Sequence, residues 1–182
     1  AWLTLRQLFP GKVELAYAEN DNYQATGILD KISLIPGILE YRTYTQIIKA
    51  LACQSKAYVY YYDWRKNPID NGPGLADLVD RVTKESGQKP AIIAHSMGGL
   101  ITHYFMKTQA SKVGKVVYVG VPFGSGLSFL DDINNGSKVG LNKSILSVRA
   151  LFSHPGSFAL LPHPGASLYK EQGLMEIGRA SC

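Results

Sequence analysis

The sequence contains only two cysteines in 182 residues, too few for a disulfide framework. It also lacks any run of about 18 consecutive apolar residues, so no transmembrane helix is predicted. Basic and acidic residues nearly balance, with 19 against 14 and a net charge of +5. No basic stripe or zinc-ligand spacing accompanies this small excess, so nucleic acid is not a predicted partner. A transient contact with an anionic membrane or lipid surface is compatible with it.

The composition that is present suits one globular domain. Hydrophobic residues make up 46% of the chain and charged residues 18%. That is enough apolar surface to offset the conformational entropy lost on folding. A chain of 182 residues has the length of a single domain. No internal repeat, low-complexity tract or linker divides it, so the sequence predicts one domain.

The two ends of the sequence need separate interpretation. The chain begins at Ala1 in already patterned sequence, and no signal-peptide pattern precedes it, so no compartment is predicted. Residues 176–182 resemble the translation of a sequencing adapter or a cloning artefact, with a natural flexible tail as the alternative. We therefore expect residues 1–175 to be part of one domain, cut from a longer protein.

Strand-like and helical patterns alternate along the middle of the chain. Short apolar runs bounded by Pro, Gly or charge predict strands buried in a parallel sheet, and apolar residues at helical spacing predict helices. This alternation predicts the α/β class with a doubly wound, mostly parallel sheet. The predicted strands are residues 57–62, 90–94 and 115–121, with 31–35 and 12–18 as further candidates, and the predicted helices are 41–52, 75–84 and 97–107.

The motif that carries chemistry is Ala94-His-Ser-Met-Gly-Gly99. It lies directly between a predicted strand and a predicted helix, which is the context of the nucleophile elbow in α/β-hydrolases. A tight turn there strains the backbone of Ser96 and exposes its Oγ, while the small Ala94 and Gly98 leave room for neighbouring elements. The helix N-terminus and the N–H of Met97, an oxyanion-hole donor, stabilise developing negative charge. We predict Ser96 as a nucleophile that needs no metal and no cofactor. The alternative is that Ser96 only caps the helix.

Three further motifs accompany this one in a fixed order. Tyr62-Asp-Trp-Arg65 precedes it, and Gly120-Val-Pro-Phe-Gly-Ser125 and Ser153-His-Pro-Gly-Ser-Phe-Ala-Leu-Leu-Pro162 follow it. Together the four motifs resemble the lecithin:cholesterol acyltransferase family over roughly the first 162 residues. Two departures concern the substrate rather than the nucleophile. Gly124-Ser-Gly126 stands where the family more often has Gly-Gly-Ser, and the third motif carries extra small residues.

The resemblance implies an α/β-hydrolase fold and lipid acyl-ester chemistry through an acyl-enzyme on Ser96. A His would accept the serine proton, and an Asp would orient that His. The family places both beyond the end of this chain and a second oxyanion donor before Ala1, so we expect the chain alone to be inactive. The implied activity is O-acyl transfer from a lipid or other ester, with apolar loop residues excluding water. These residues are Phe123, Phe129 and Phe152. A lipase or phospholipase is the alternative.

Two other interpretations of the chain remain open. In a minimal lipase of about this length the triad would be complete, with Asp131 or Asp132 as the acid and His154 or His163 as the base. No clear strand precedes these candidates, whereas catalytic residues of this fold follow strand ends. The second interpretation is a non-catalytic binding module that kept the hydrolase fold, which an active-site serine probe would leave unlabelled.

The remaining polar candidates have structural interpretations. His95 is predicted to be a packed residue rather than a base, and His103 to be a satisfied helix histidine rather than a ligand. Asp63 and Arg65 are predicted to form a local ion pair, and the Asp131-Asp132 pair to lie in a solvated turn rather than a metal site. Two triplets, Asn135-Gly-Ser137 and Asn142-Lys-Ser144, fit the N-glycosylation sequon, which also arises by chance.

Overall fold

The structure is a computed structural model that describes residues 15–21, 24–28, 31–35, 39–42, 44–123, 127–139, 142–161, 167–170 and 173–176. In chain order the elements are β1 (Lys31–Ile35), β2 (Leu39–Arg42), α1 (Thr45–Gln54), α2 (Gly72–Ser86), β3 (Ala91–His95), α3 (Met97–Gln109), β4 (Lys115–Val119), α4 (Leu127–Asn135), β5 (Ser137–Val139), β6 (Asn142–Leu146), α5 (Val148–Ser153), α6 (Pro155–Phe158), β7 (Ser167–Lys170) and β8 (Gly173–Glu176). Short 3₁₀ turns span Pro68–Asn71 and Ala110–Lys112.

The chain divides into two compact units. The first unit comprises residues 1–63 and 136–153, and the second comprises residues 64–135 and 154–182. The single domain predicted for residues 1–175, and the artefact predicted for residues 176–182, stay predictions.

The first unit contains two antiparallel strand pairs, β1 with β2 and β5 with β6. Its core joins residues far apart in sequence. The N–H of Leu15 donates to the carbonyl oxygen of Ile145 at 3.1 Å, and the N–H of Tyr17 donates to Ser153 Oγ at 2.7 Å. Ile145 is completely buried, as is Ala150 of α5. The early chain is therefore held against the β6–α5 segment.

The strand predicted for residues 57–62 is wrong. These residues are described, and they belong to no strand. Aromatic and β-branched residues fit well on the pleated surface of a sheet, which is why they are common in strands. Their presence does not show whether another strand pairs with the segment. The described part of the predicted strand 12–18, residues 15–18, is likewise not a strand, whereas the candidate at 31–35 is confirmed as β1.

The second unit is built on the parallel pair β3 and β4, in which Ala91 lies opposite Lys115 and His95 opposite Val119. Helix α3 connects the two strands and packs on β3, and α2 packs on α3. The buried face of α2 carries Leu75, Val79 and Val82 at helical spacing. That helix ends at Gly87, whose left-handed φ of 69° and N–H bond to the Thr83 carbonyl oxygen at 2.8 Å form its C-terminal cap.

The predicted helices and the two central strands are confirmed, with boundaries that differ by a few residues. The parallel β3–α3–β4 unit agrees with the predicted α/β class, and the described strand pairs show no wider parallel sheet. In the described part of the chain, no helix has both the length and the apolar character needed to cross a membrane.

Candidate active site

Ser96 forms the turn between β3, which ends at His95, and α3, which begins at Met97. Its backbone has φ 52° and ψ −128°. Among the described residues other than glycine, it alone has a positive φ. Such a conformation costs a residue with a side chain about 1–3 kcal/mol and persists only where the surrounding structure holds it. The strain therefore lies at the one serine that the sequence motif singles out.

The helix-cap interpretation of Ser96 fits this geometry poorly. A capping serine has an extended backbone, and its Oγ accepts a hydrogen bond from an N–H in the first helical turn. Ser96 has a positive φ instead, and its side chain makes no capping hydrogen bond to α3. Ser96 thus occupies the N-cap position of α3, but its hydroxyl does not cap the helix.

The turn at Ser96 is anchored to β4 and to the segment that follows it. The N–H of Ser96 donates to the carbonyl oxygen of Val119 at 3.0 Å, and the Ser96 carbonyl oxygen accepts from the N–H of Gly99 at 2.9 Å. A Cβ on Gly99 would lie 2.7 Å from Val121 Cγ1 and 2.9 Å from Val121 Cβ. The first turn of α3 therefore sits directly on Val121, at a distance that only glycine permits.

We expect Gly99→Ala to lower the free energy of unfolding by about 1–3 kcal/mol. The added methyl group would press on Val121, whose Cβ is fixed to the backbone and cannot rotate away. Chemical denaturation measures this loss. Gly72→Ala is the matched control, since nothing lies within 4 Å of a Cβ at that helical glycine. A Gly99→Ala protein as stable as the Gly72→Ala protein would contradict the close contact.

The N–H of Met97 lies at the first position of α3. The N-terminal amides of a helix have no acceptor within the helix, and the helix dipole adds positive potential at that end. An oxyanion formed at Ser96 would be stabilised by such an amide. The geometry is compatible with the predicted donor role, which stays a prediction.

Ser96 and Phe123 follow the carboxyl ends of the parallel strands β3 and β4, so they lie at the same edge of the sheet. Ligands of parallel α/β sheets bind outside this edge. The Phe123 ring is held edge-on by His103 of α3, with ring centroids 5.4 Å apart, and by Tyr118 of β4 at 5.3 Å. It is 45% exposed. This edge therefore offers a fixed apolar surface as well as a hydroxyl.

The histidines predicted as alternative bases differ in position. His154 is completely buried, and its ring meets Trp64 edge-on with centroids 4.8 Å apart. A catalytic base has to reach the hydroxyl that it deprotonates while the substrate is bound. The buried ring of His154 is accessible neither to a substrate nor to a hydroxyl beside one. His163 lies outside the described residues. The minimal-lipase interpretation therefore finds no support in the position of His154.

Two structural predictions for polar residues are corrected. Asp131 and Asp132 lie in α4 rather than in a turn, and Asp131 Oδ1 accepts from Asn135 Nδ2 at 2.6 Å on the exposed face. His95 is exposed, so the prediction that it is packed is wrong. His103 lies on α3, as predicted, and its ring meets that of Phe123 edge-on. No group of three or more His, Cys, Asp or Glu side chains is arranged for a metal ion within the described ranges.

A protein-family model matches most of the chain. The model of the lecithin:cholesterol acyltransferase family matches residues 21–173, which include Ser96 and all four sequence motifs. The chain belongs to this family. The resemblance predicted from the motifs is thus confirmed.

Individual relatives match shorter stretches of the chain. An uncharacterized protein of Saccharomyces cerevisiae is 31% identical over 106 residues, which are 57% of this chain and 16% of the relative. The lysosomal phospholipase A and acyltransferase of Canis lupus familiaris and that of Homo sapiens are each 32% identical over 71 residues, which are 35% of this chain and 17% of the relative. The chain spans about a sixth of the length of these relatives.

The family-like motif Tyr62-Asp-Trp-Arg65 consists largely of buried side chains. Asp63 is buried and Arg65 completely so, and the ion pair predicted between them stays a prediction. Burial, with smaller contributions from the nearby Tyr44 and Tyr60, raises the pKa of Tyr62 to about 12. The Tyr62 phenol is therefore protonated near neutral pH and unsuited to act as a base.

The structure also explains the small residues by which this chain departs from the family pattern after Ser153. The N–H of Gly156 donates to the Arg65 carbonyl oxygen at 2.9 Å. A Cβ on Gly156 would lie 2.6 Å from the Lys66 carbonyl oxygen and still closer to that of Trp64. Sequence reasoning missed this contact because nothing local marks which glycine a distant backbone approaches.

Proposed function

We propose that this protein is a lipid acyl-ester enzyme of the α/β-hydrolase type in which Ser96 is the nucleophile and O-acyl transfer is the main reaction. The observation that carries the proposal is the strained backbone of Ser96 between a parallel strand and a helix N-terminus, in a chain of the lecithin:cholesterol acyltransferase family. The matching phospholipase A and acyltransferase relatives support a lipid ester as the substrate.

The proposed reaction has two halves. Ser96 Oγ attacks the ester carbonyl carbon and loses its proton to a histidine, and the resulting oxyanion is stabilised by the N–H of Met97. The carbonyl–alkoxy bond then breaks, and the leaving alkoxide takes the proton, which yields the acyl-enzyme and an alcohol. In the second half, an acceptor hydroxyl loses its proton to the histidine and attacks the acyl carbonyl carbon. The bond to Ser96 Oγ breaks, Ser96 takes the proton back, and the new ester is released. The mechanism requires a histidine and an orienting carboxylate, and we assign neither role to a described residue.

The choice between transfer and hydrolysis depends on which hydroxyl reaches the acyl-enzyme. Water outcompetes an alcohol wherever the site is open to solvent, and an apolar wall lowers its local concentration. Phe123 presents such a wall at the edge of the sheet where Ser96 lies. Its exposed ring also suits the hydrocarbon part of a lipid. This arrangement supports acyl transfer as the main reaction and lipid as the substrate class.

Incubating the complete protein with phospholipid labelled in one acyl chain and an excess of a long-chain alcohol tests the proposal. We expect labelled wax ester or other ester of the added alcohol to exceed labelled free fatty acid. Product separation by chromatography gives the ratio directly.

The Ser96→Ala protein supplies the blank for this assay. Free fatty acid as the sole Ser96-dependent product would make the protein a lipase or phospholipase instead. Absence of any Ser96-dependent product, together with failure of a fluorophosphonate probe to label Ser96, would favour the binding-module interpretation over both enzymes.

A further inference from the structure

Two asparagine-containing triplets lie close together in sequence, and the proposed reaction uses neither. Asn135-Gly136-Ser137 and Asn142-Lys143-Ser144 both satisfy the Asn-x-Ser pattern of N-linked glycan acceptors. An oligosaccharide attached to asparagine is bulky and strongly hydrated, so the acceptor side chain has to face solvent in the folded protein. The sequence alone gives no reason to expect a glycan on one triplet rather than on the other. The structure separates them.

Asn135 is the last residue of α4, and its side chain is exposed. Its Nδ2 donates to Asp131 Oδ1 at 2.6 Å, and its Oδ1 accepts from Asn134 Nδ2 at 3.3 Å, both on the exposed surface. Exposed hydrogen bonds of this kind exchange readily with water, so they do not hold the amide in place. Gly136 follows with a φ of 73°, in the left-handed region that favours glycine. The acceptor amide thus stands at an accessible helix end.

Asn142 has the opposite environment. Its side chain is only 1% exposed, at the start of β6. Its Oδ1 accepts from the N–H of Ser144 at 2.8 Å, so the amide helps to shape the backbone within its own triplet. A glycan on Asn142 Nδ2 would require this buried side chain to move out into solvent. A chain modified at Asn142 could not regain this packing.

We propose that Asn135 is an N-glycosylation site of this protein and that Asn142 is not. The donor is a lipid-linked oligosaccharide pyrophosphate, which a cellular oligosaccharyltransferase supplies. A bond forms between Asn135 Nδ2 and the anomeric carbon of the sugar, and the bond from that carbon to the pyrophosphate oxygen breaks. The pyrophosphate leaves with the electron pair, and the proton lost from Nδ2 passes to a base of the transferase.

Expression of the protein behind a cleavable secretory leader in eukaryotic cells tests this assignment. We expect one glycan on the secreted protein, seen as a mobility shift that peptide N-glycosidase removes. Because that enzyme converts a glycosylated asparagine to aspartate, peptide mass spectrometry identifies the position. We expect the conversion at residue 135.

Four variants separate acceptor function from folding. Asn135→Gln and Ser137→Ala should each abolish the shift completely, the second without changing the acceptor side chain. Ser144→Ala removes the other triplet while keeping the buried Asn142, and it should leave the shift unchanged. Asn142→Gln should also keep the shift in whatever protein is secreted. Secreted protein that carries its glycan on Asn142, or that carries none, overturns the assignment.

Discussion

In the complete protein, replacing Ser96 with alanine is expected to lower ester turnover by on the order of 10⁶, the loss typical of a triad nucleophile. The physical reason is that the acyl-enzyme forms on Ser96 Oγ, and no neighbouring hydroxyl stands at the strained turn between β3 and α3. Steady-state kinetics with a short-chain ester and with phospholipid measures the effect. Retention of more than a tenth of the activity by the pure protein would mean that another group is the nucleophile.

The matched control for this substitution is Ser111→Ala, which removes an exposed hydroxyl from the 3₁₀ turn Ala110–Lys112 of the same unit. Its activity should equal that of the unmodified protein. Ser96→Gly adds a test of the strain. Glycine adopts a positive φ without steric cost, so this variant should be as inactive as Ser96→Ala yet more stable, by up to about 1 kcal/mol. A Ser96→Gly protein that is less stable than Ser96→Ala would argue against the strained turn.

Substituting Gly156 with alanine is expected to destabilise the protein by about 3 kcal/mol or more, the upper end of the range for overpacked positions. The added methyl group would press against the carbonyl oxygens of Trp64 and Lys66. These are backbone atoms, and they cannot rotate away as a flexible side chain can. Moving the segment instead would break the hydrogen bond from Gly156 N–H to the Arg65 carbonyl oxygen.

Chemical denaturation of Gly156→Ala beside Gly72→Ala measures this effect against a glycine with open space around its Cβ position. Alanine at position 72 should change the free energy of unfolding by less than about 1 kcal/mol, because its effect is confined to helix propensity. Near-equal stability of the two variants would show that the segment after Ser153 does not pack closely on residues 64–66.

Much of the local structure was predictable from the sequence. The apolar spacing in α2 and α3 and the apolar runs of β3 and β4 are local patterns, and the structure has these elements within a few residues of the predicted bounds. The position of Ser96 between strand and helix follows from the same patterns. Family membership was also accessible, because it depends on short motifs in a fixed order, and the family match confirms it.

Features that depend on distant residues were not predictable. Residues 57–62 have strand composition and yet form no strand, since strand pairing is a property of two segments and composition is a property of one. The close approach at the turn was assigned to Ala94 and Gly98, whereas the structure also places it at Gly99, against Val121. His154 has the residue type of a catalytic base and the environment of a core side chain.

The sequence by itself thus determined the helices α1, α2 and α3, the strands β1, β3 and β4, the candidate nucleophile and the family, because each is encoded in neighbouring residues along the chain. Only the tertiary structure decided which glycines other atoms approach closely and which histidine is buried. It also decided in which of the two Asn-x-Ser triplets the asparagine faces solvent. Asn135 and Asn142 show the reason most directly. Both occupy the same local pattern, but one lies at an exposed helix end and the other is buried at the start of β6. Burial is set by what the rest of the chain places on top of a residue, and no local pattern records that.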